Sequence, residues 1–430
     1  MSDRSVVVVA GCRTPFLKSF TEFGDLNCVD LMAQNVGTLA ASAGLAPADV
    51  GEIIVGCVVP PAGVPNVARE VVFRLGWPNA IPGVTVARAC ASGLTAIEMA
   101  TDAIRAGRYD VAIAGGVECL SDIPVPYSRE GLKVFKRMQK DRSPFAKFRT
   151  ALGLKPWMLL PSTPGLTEPS TGLSMGEHAE RMAVEFGIPR KEQDDYAFES
   201  HRRAFEAEQA GTLSGPVAPA YAGKDRGTPV LADNGIRRPP DRPSLDKLKP
   251  AFDRRFGTIT AGNASFLTDG AAAVLLMEEG RAKALGYRPL ARVVLSATIG
   301  LDPAEGLLMG PPRSIAKALE RGRIALKDLD ILELHEAFAA QVLCNVRAME
   351  SPEYCKQYLG LSAALGRVDP SKMNPGGGSL SIGHPFGATG ARLVMGVAQA
   401  LVRHKGQWGM AAACAAGALS QAILLEGVDR

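Results

Sequence analysis

Short apolar strands alternate with helices along the first 120 residues, and this alternation restricts the possible folds more than any other feature of the sequence. A run of four valines near the N-terminus is followed by a helical pattern that ends at Gly44, and then by further strands and helices. Strands that alternate with helices form βαβ units around a parallel sheet. We predict strands at 6–9, 53–55, 84–86 and 110–115, and helices at 27–44 and 93–106.

The C-terminal half repeats this organisation. In each half, one strand leads into a turn of small residues that carries a cysteine, Cys90 or Cys414. We therefore predict an α/β fold built from an internal duplication of one layered unit. The strands of the second half are predicted at 292–298, 330–334, 410–414 and 420–426, and a long helix at 390–402.

The composition changes between the two halves, where proline and charged residues become frequent. Two helices are predicted inside this region, at 175–186 and 190–209. We interpret it as a loop domain inserted in the first half, covering a functional site. The predicted domains are an N-terminal half at 1–120 plus about 250–285, the loop domain at 121–249, and a C-terminal half at 286–430.

Composition excludes several classes of protein. A chain of 430 residues with 47% hydrophobic residues has enough apolar material for two to three folded domains. No apolar stretch is long enough to span a membrane, and the N-terminus does not resemble a signal peptide, so we expect a cytoplasmic protein. The net charge is only +4, although residues 128–156 contain nine basic and two acidic residues. Because the positive charge is confined to one segment of a nearly neutral chain, the sequence argues against general nucleic-acid binding.

The eight cysteines include no C-x-x-C pair, and most lie far in sequence from the five histidines. We therefore expect free thiols and no metal site.

Four residues in segments of unusual composition are candidates for chemistry. Cys90, in RACASGLTA, lies where a strand meets a helix, and a helix N-terminus favours the thiolate. His384, in SIGHPFGATG, is a candidate base for a thiol. His335, in LHEAF, has an N–H that could donate to an oxyanion. Cys414, in ACAAGA, becomes interesting only beside the others. Each residue also has a plain structural interpretation; His335 and Glu336, for example, could simply cap the following helix.

Taken together, the segments CASG, HEAF, GHPFGATG and CAAG resemble the thiolases in order and approximate position. AGRYDVAIAGGVE, STGLSMGEHAE and TAGNASFLTDGAAA extend the resemblance over nearly the entire chain. The resemblance implies a duplicated five-layered α/β/α/β/α fold with an inserted loop domain. It also implies thiolytic cleavage of 3-ketoacyl-CoA by CoA, giving acetyl-CoA and a shortened acyl-CoA. CoA and acyl-CoA would be substrates, and no cofactor is expected.

The resemblance also assigns roles to residues. Cys90 would be the nucleophile, His384 its base, and Cys414 a second acid and base. His335 with a bound water would stabilise the enolate of acetyl-CoA. The backbone N–H groups of Cys90 and Ala416 would form a second oxyanion hole. By the same resemblance, Ser265 would contact pantetheine, and Met175 and Phe338 would line its tunnel; for these two, a plain core position is nearly as plausible.

Two departures point to a subgroup. Histidine at position 335, where many thiolases have asparagine, and alanine at position 416, where glycine is usual, resemble the β-subunits of fatty-acid oxidation multienzyme complexes. This implies a homodimer or a dimer of dimers, with a hydratase/dehydrogenase α-subunit as partner. The basic segment 128–156 could be a solvated surface, an amphipathic contact with a membrane surface, or a docking site for a partner subunit.

Three other functions stay open. The same chemistry in reverse would form acetoacetyl-CoA, and nothing local decides the direction. A decarboxylating ketosynthase of the same fold is disfavoured by Cys414. A non-catalytic acyl-CoA-binding scaffold would have no reason to carry Cys90, His384 and Cys414 together.

Overall fold

The structure is a computed structural model that describes residues 4–124, 127–160, 167–223 and 227–428 of the chain. Its strands are β1 (Val6–Arg13), β2 (Leu17–Lys18), β3 (Glu52–Gly56), β4 (Gly83–Val86), β5 (Val111–Glu118), β6 (Ala220–Tyr221), β7 (Pro229–Val230), β8 (Thr268–Glu278), β9 (Ala291–Gly300), β10 (Ile331–Leu334), β11 (Trp408–Ala415) and β12 (Leu419–Gly427). Its helices are α1 (Cys28–Ala43), α2 (Val67–Arg74), α3 (Ser92–Arg105), α4 (Arg129–Lys140), α5 (Pro144–Ala151), α6 (Met175–Glu185), α7 (Arg190–Gln209), α8 (Arg242–Asp246), α9 (Glu279–Ala284), α10 (Gly310–Gly322), α11 (Ala339–Glu350), α12 (Pro352–Tyr354), α13 (Ser379–Ile382) and α14 (Phe386–His404).

Local sequence chemistry sets the ends of these elements. In α1, for example, the side chain of Asn27 accepts the N–H of Asp30, and Gly44 ends the helix at a φ of 64°. Glycine adopts this left-handed conformation without steric cost, which explains why the predicted helix 27–44 ends where it does. The strand β8 was not predicted, although TDGAAAVLLME is an uninterrupted, almost wholly buried run.

Ten strands form one mixed sheet in the order β4-β3-β5-β8-β1-β9-β12-β11-β10, with β2 beside β8, while β6 and β7 pair separately as a two-stranded sheet. Pairing is parallel for β3 with β4, β3 with β5, and β10 with β11, and antiparallel elsewhere. The two halves of the sheet are joined only where Val6–Val8 of β1 pairs with β9. The sheet is therefore two sets of strands connected by a short seam.

The two sets have the same topology, which confirms the predicted duplication. The order β3-β5-β8-β1 and the order β10-β11-β12-β9 share one parallel pairing followed by two antiparallel pairings. In this correspondence β11, which carries Cys414, is equivalent to β5, and α14 is equivalent to α3. The turn of Cys90 therefore corresponds to the turn of His384, and not to the turn that carries the second cysteine.

The helices α3 and α14 lie between the two halves of the sheet. Each contacts strands of both sets: α3 packs on β5, β3 and β12, and α14 packs on β5, β8 and β11. Helix α1 covers the outer face of the first set with α2, and α10 covers the outer face of the second. This arrangement is the five-layered α/β/α/β/α fold that the resemblance to the thiolases implied.

Glycines let α3 and α14 approach backbone to backbone. A Cβ on Gly93 would lie 2.6 Å from the carbonyl oxygen of Gly387, and a Cβ on Gly390 would overlap the backbone nitrogen of Leu94. Real Cβ atoms do not come this close to a backbone, so larger residues at these positions would separate the helices. The contact fixes the first turns of α3 and α14 side by side.

The segment between β5 and β8 carries the helices α4 to α8. Helices α6 and α7 pack against α11, whereas α4 and α5 pack on one another. In the described part of the chain, none of the helices has the length and apolar character required to cross a membrane.

We predict that Gly390→Ala lowers the free energy of unfolding by about 1–3 kcal/mol, because the added methyl group overpacks a contact between two backbones. Urea unfolding measures the change. Gly37→Ala is the matched control, since Gly37 also lies inside a helix but its Cβ would meet only a flexible leucine side chain at 3.1 Å. The control is expected to stay within about 1 kcal/mol of the parent chain. Equal losses in the two variants would contradict the proposed role of the glycine contact.

Candidate active site

Cys90 lies in a tight turn between β4 and α3. Ala89, just before it, has a φ of 44°, which is unusual for a residue with a side chain. Ser92 holds the turn, because its hydroxyl oxygen accepts the N–H of Arg88 at 2.8 Å and its hydroxyl donates to the carbonyl of Ala89 at 2.6 Å. Cys90 keeps partial exposure, unlike the other seven cysteines, which are buried. The turn thus places one partly exposed cysteine at the start of a helix.

His384 lies in the equivalent turn before α14. Its backbone N–H donates to the hydroxyl of Thr268 at 2.9 Å, and its ring Nδ1 lies 2.7 Å from the hydroxyl oxygen of Thr389. The Thr389 hydroxyl itself donates to the carbonyl of Pro385 at 3.0 Å. Both hydrogen bonds form when Nδ1 carries the proton and donates to Thr389. That arrangement leaves a lone pair on Nε2, which is the form a base requires.

His335 follows β10 and is fully buried. Its backbone N–H donates to the carbonyl of Ala412 at 2.8 Å, and its ring Nδ1 lies 3.0 Å from the hydroxyl oxygen of Ser379. The adjacent Glu336 accepts hydrogen bonds from Tyr196, Ser200, Asn374 and the backbone of Leu380. Helix α11 begins without a side-chain cap, so the interpretation of His335 and Glu336 as helix caps is wrong.

The structure brings Cys90, His335 and His384 together. The Cys90 sulfur and one ring nitrogen from each histidine all lie within 4.8 Å of one another. The two imidazole rings are 4.0 Å apart between centroids. Among the described residues, neither Nε2 has a hydrogen-bond partner, although both are buried. Two unsatisfied ring nitrogens therefore lie beside a thiol, ready to interact with a bound substrate.

Burial keeps the residues of this cluster neutral. It raises the pKa of Cys90 to about 12, although the backbone N–H of Ala416 opposes the shift. Burial, and then the charge of Arg392, lowers the pKa of His384 to about 3; burial, and then the neighbouring His384 and Arg392, lowers the pKa of His335 well below its ordinary value. The expected stabilisation of a Cys90 thiolate by the helix N-terminus is thus outweighed by desolvation. The resting pair is a thiol and a neutral imidazole.

Cys414, near the end of β11, lies close enough to Cys90 for the two thiols to interact. Burial, and then the proximity of Cys90, raise the pKa of its thiol, so it stays protonated at neutral pH. The following turn has φ values of 79° at Gly417 and 52° at Ala418, while Ala416 does not have a positive φ. Alanine at position 416 is thus compatible with the turn, and its N–H interacts with the Cys90 sulfur. Glu168 holds the turn by accepting the N–H of Gly417 at 2.8 Å.

The predicted substrate-binding residues lie near Cys414. Phe338 and Cys414 belong to one buried apolar cluster, and Met175 packs against it. The half-buried Ser265 is joined to the same wall, because its backbone N–H donates to the carbonyl of Ala337 at 2.9 Å. This placement is compatible with a tunnel wall, and for Met175 and Phe338 it is equally compatible with plain core packing.

Glu118 is a residue of this region that the sequence analysis missed. It is buried at the end of β5, where its carboxylate accepts the N–H groups of Val58, Val59 and Gly387. Burial raises its pKa to about 7, against the effect of these three donors. The carboxylate thus ties the loop after β3 to the first turn of α14. A glutamate that ends the fully apolar run VAIAGGV was a signal that could have been noticed.

The prediction of no metal site rested on the wide separation of the cysteines and histidines in the sequence, but the fold brings some of these residues together. Besides the cluster of Cys90, His335 and His384, ligand atoms of Cys28, Cys57 and Glu118 also lie within 4.8 Å of one another. The absence of a metal site stays a prediction.

Comparisons with known proteins agree with this geometry. Residues 6–280 match the family description "Thiolase, N-terminal domain", and residues 287–427 match "Thiolase, C-terminal domain". A relative from Aeromonas salmonicida, "3-ketoacyl-CoA thiolase", is 43% identical over 98% of this chain and 96% of its own. A relative from Bos taurus, "Trifunctional enzyme subunit beta, mitochondrial", is 42% identical over 99% of this chain and 89% of its own.

A solved structure gives the same result for the fold. The crystal structure of human mitochondrial 3-ketoacyl-CoA thiolase superposes with a TM-score of 0.84 at 30% identity, covering 99% of both chains. The human enzyme has also been solved in complex with CoA. The chain belongs to the thiolase family, and it is an acyltransferase.

We predict that iodoacetamide alkylates Cys90 about ten times faster for each pH unit between about pH 6 and pH 9, because the reactive thiolate fraction grows tenfold per unit below the raised pKa. Peptide mass spectrometry follows the modified residue. Cys90→Ser supplies the control for alkylation of the seven buried thiols. A rate that levels off near neutral pH would reveal a stable thiolate and contradict the neutral pair.

Proposed function

We propose that this protein cleaves 3-ketoacyl-CoA with CoA, giving acetyl-CoA and an acyl-CoA shortened by two carbons, in fatty-acid β-oxidation. The observation that carries the proposal is the approach of the Cys90 sulfur to the two unsatisfied imidazoles of His335 and His384, with Cys414 beside them. This set contains a nucleophile, a base, a hydrogen-bond donor and, in the thiol of Cys414, an acid that can protonate a carbon atom. The names of the relatives give the substrate class.

The first step forms a tetrahedral adduct. His384 Nε2 takes the Cys90 proton while the sulfur attacks the 3-keto carbon of the substrate. The keto oxygen becomes an alkoxide, and the N–H groups of Cys90 and Ala416 donate to it. The interaction of the Ala416 N–H with the Cys90 sulfur supports this role. Removing one such donor from an acyl-transfer enzyme typically costs about 10²–10³ in kcat.

The second step breaks the bond between the substrate's second and third carbons. The adduct collapses to a thioester on Cys90, and the departing group is the enolate of acetyl-CoA. His335 donates to the enolate oxygen, and Cys414 gives its proton to the enolate carbon. The raised pKa of Cys414 suits this role, because the thiol is still protonated when the carbanion forms.

The third step releases the acyl group. CoA gives its thiol proton to the Cys414 thiolate and attacks the thioester. The Cys90 sulfur leaves and recovers the proton held by His384. The proton that Cys414 gave to acetyl-CoA has been replaced by the thiol proton of CoA, and Cys90 has its own proton back, so the cycle requires no cofactor beyond the two CoA substrates. A covalent intermediate between two substrates predicts ping-pong kinetics.

The partners are also a proposal. We infer a homodimer, or a dimer of dimers, that works with a hydratase/dehydrogenase α-subunit, and the relative named as a trifunctional-enzyme subunit supports the α-subunit.

The basic segment 128–156 is one candidate contact surface. Its helix α4 is mostly exposed, and four large apolar side chains around it are exposed as well: Leu132, Phe145, Phe148 and Leu152. Apolar residues among basic ones suit an anionic membrane surface or a partner subunit. A cytoplasmic location is likewise a proposal from the sequence.

The reverse reaction, formation of acetoacetyl-CoA, is the second candidate. The microscopic steps are the same in both directions, so the geometry of the cluster favours neither.

We predict CoA-dependent loss of the 3-ketoacyl thioester, faster with a long-chain substrate than with acetoacetyl-CoA. Cys414→Ala should lower this rate by about 10²–10⁴, because a general acid is lost. The same variant should still exchange labelled CoA into acyl-CoA with a smaller loss of rate, because in this half-reaction Cys414 only accepts and returns a thiol proton and protonates no carbon. Absorbance of the ketoacyl thioester and isotope incorporation provide the two readouts.

Preference for acetoacetyl-CoA would favour the reverse direction. Normal cleavage by Cys414→Ala would refute the role of Cys414. Absence of both reactions in the parent chain would refute thiolase activity and favour an acyl-CoA-binding scaffold.

A further inference from the structure

A chain of buried polar groups stands behind His335. The guanidinium of Arg392 forms an ion pair with Glu333 at 3.1 Å, and its Nη2 donates to the hydroxyl oxygen of Ser379 at 3.3 Å. The same oxygen lies 3.0 Å from Nδ1 of His335. All four residues are at most 2% exposed. The roles assigned above leave Ser379 and Arg392 without a function.

The hydrogen bonds of Ser379 determine which ring nitrogen of His335 carries the proton. A guanidinium only donates, so the Ser379 oxygen accepts from Arg392. The Ser379 hydroxyl hydrogen then needs an acceptor, and among the described residues the side-chain bonds of Ser379 offer one, Nδ1 of His335. A buried hydroxyl hydrogen without an acceptor is costly. Nδ1 therefore accepts, and the ring proton resides on Nε2.

His384 has the opposite arrangement. The Thr389 hydroxyl donates to the carbonyl of Pro385 and accepts from Nδ1 of the ring, which leaves the lone pair on Nε2. The two imidazoles, tilted by 41° with their centroids 4.0 Å apart, thus present different atoms beside Cys90: a base from His384 and an N–H donor from His335.

We propose that Ser379, oriented by Arg392, is a positioning residue that fixes His335 in its Nε2–H tautomer, so that this ring donates to the oxygen that becomes negative during the reaction. The inference rests on the proposed function and deepens it. With the other tautomer, a lone pair would face the developing charge and repel it. Ser379 contacts no substrate in this account and acts only through His335.

The kinetic test is a double-mutant cycle. Ser379→Ala should lower kcat for thiolysis by about 10-fold to 10²-fold, below the effect of removing a donor outright, with little change in KM. In the His335→Asn variant, Ser379→Ala should lower kcat by less than about 3-fold. The asparagine amide has a single protonation form, so its N–H donor does not depend on Ser379. An equal loss of kcat with and without His335 would overturn the proposal, since Ser379 would then support the structure of the site and not the tautomer of His335.

Ser381→Ala is the matched control for packing. Ser381 lies two residues further along α13 and is equally buried, but its hydroxyl contacts Ser200 and the carbonyl of Gly378 instead of a histidine. It should retain the parent kcat. A loss equal to that of Ser379→Ala would count against the proposal.

The tautomer can also be observed without turnover. Selective ¹⁵N labelling of the five histidines gives few signals, and His335→Asn assigns the one of interest. In the parent chain the proton of His335 should be on Nε2 and that of His384 on Nδ1, while Ser379→Ala should give a mixture at His335. A proton on Nδ1 of His335 in the parent chain would overturn the proposal. Because this readout needs no substrate, it separates failure of the tautomer assignment from failure of the proposed function.

Discussion

The backbone contact between α3 and α14 is the constraint on which the rest of the active centre depends. Gly93 and Gly390 allow the two helices to touch without side chains between them. Each helix comes from one copy of the duplicated unit, and each is preceded by the turn that carries a reactive residue. Cys90 and His384, almost three hundred residues apart in sequence, therefore meet at equivalent positions of the two copies. A duplicated fold has thus supplied the nucleophile from one copy and its base from the other.

Burial sets the electrostatics of the site. Desolvation disfavours every charged form, so the thiols keep their protons and the histidines stay neutral. Charge then develops only during the reaction, when donors and a base already lie in place. The polar groups that maintain this arrangement are themselves held behind the site: Glu118 binds the start of α14, Glu168 binds the turn after β11, and Glu336 joins His335 to α13. Preorganised dipoles in a dry site are the main source of transition-state stabilisation in enzymes of this kind.

Much of the fold could be predicted because its signals are local. Strand and helix periods, the glycine after residue 43 and the repeated order of elements are readable in short windows, and they gave the α/β class and the duplication. The strand β8 was missed because an apolar run has no period that separates a buried strand from a helix. The equivalence of the Cys90 and His384 turns was also missed, because it lies in the pairing of strands and not in the residues.

The candidate site could be predicted only in part. Cys90, His384, His335 and Cys414 came from motifs, and the structure brings them together. The hydrogen-bond partners that fix each ring did not come from the sequence, because Ser379 and Thr389 resemble ordinary small polar residues until their neighbours are known. The direction of the Cys90 pKa shift was mistaken for the same reason: a helix N-terminus is visible in sequence, whereas the burial that outweighs it is not.

The measurement that tests the central claim most directly is the mass of the protein after incubation with a 3-ketoacyl-CoA in the absence of CoA, followed by peptide mapping. The account predicts one acyl group per chain, on the peptide that contains Cys90, with release of one acetyl-CoA for each acyl group bound. An acyl group on another cysteine, or acetyl-CoA released without any adduct, would contradict it.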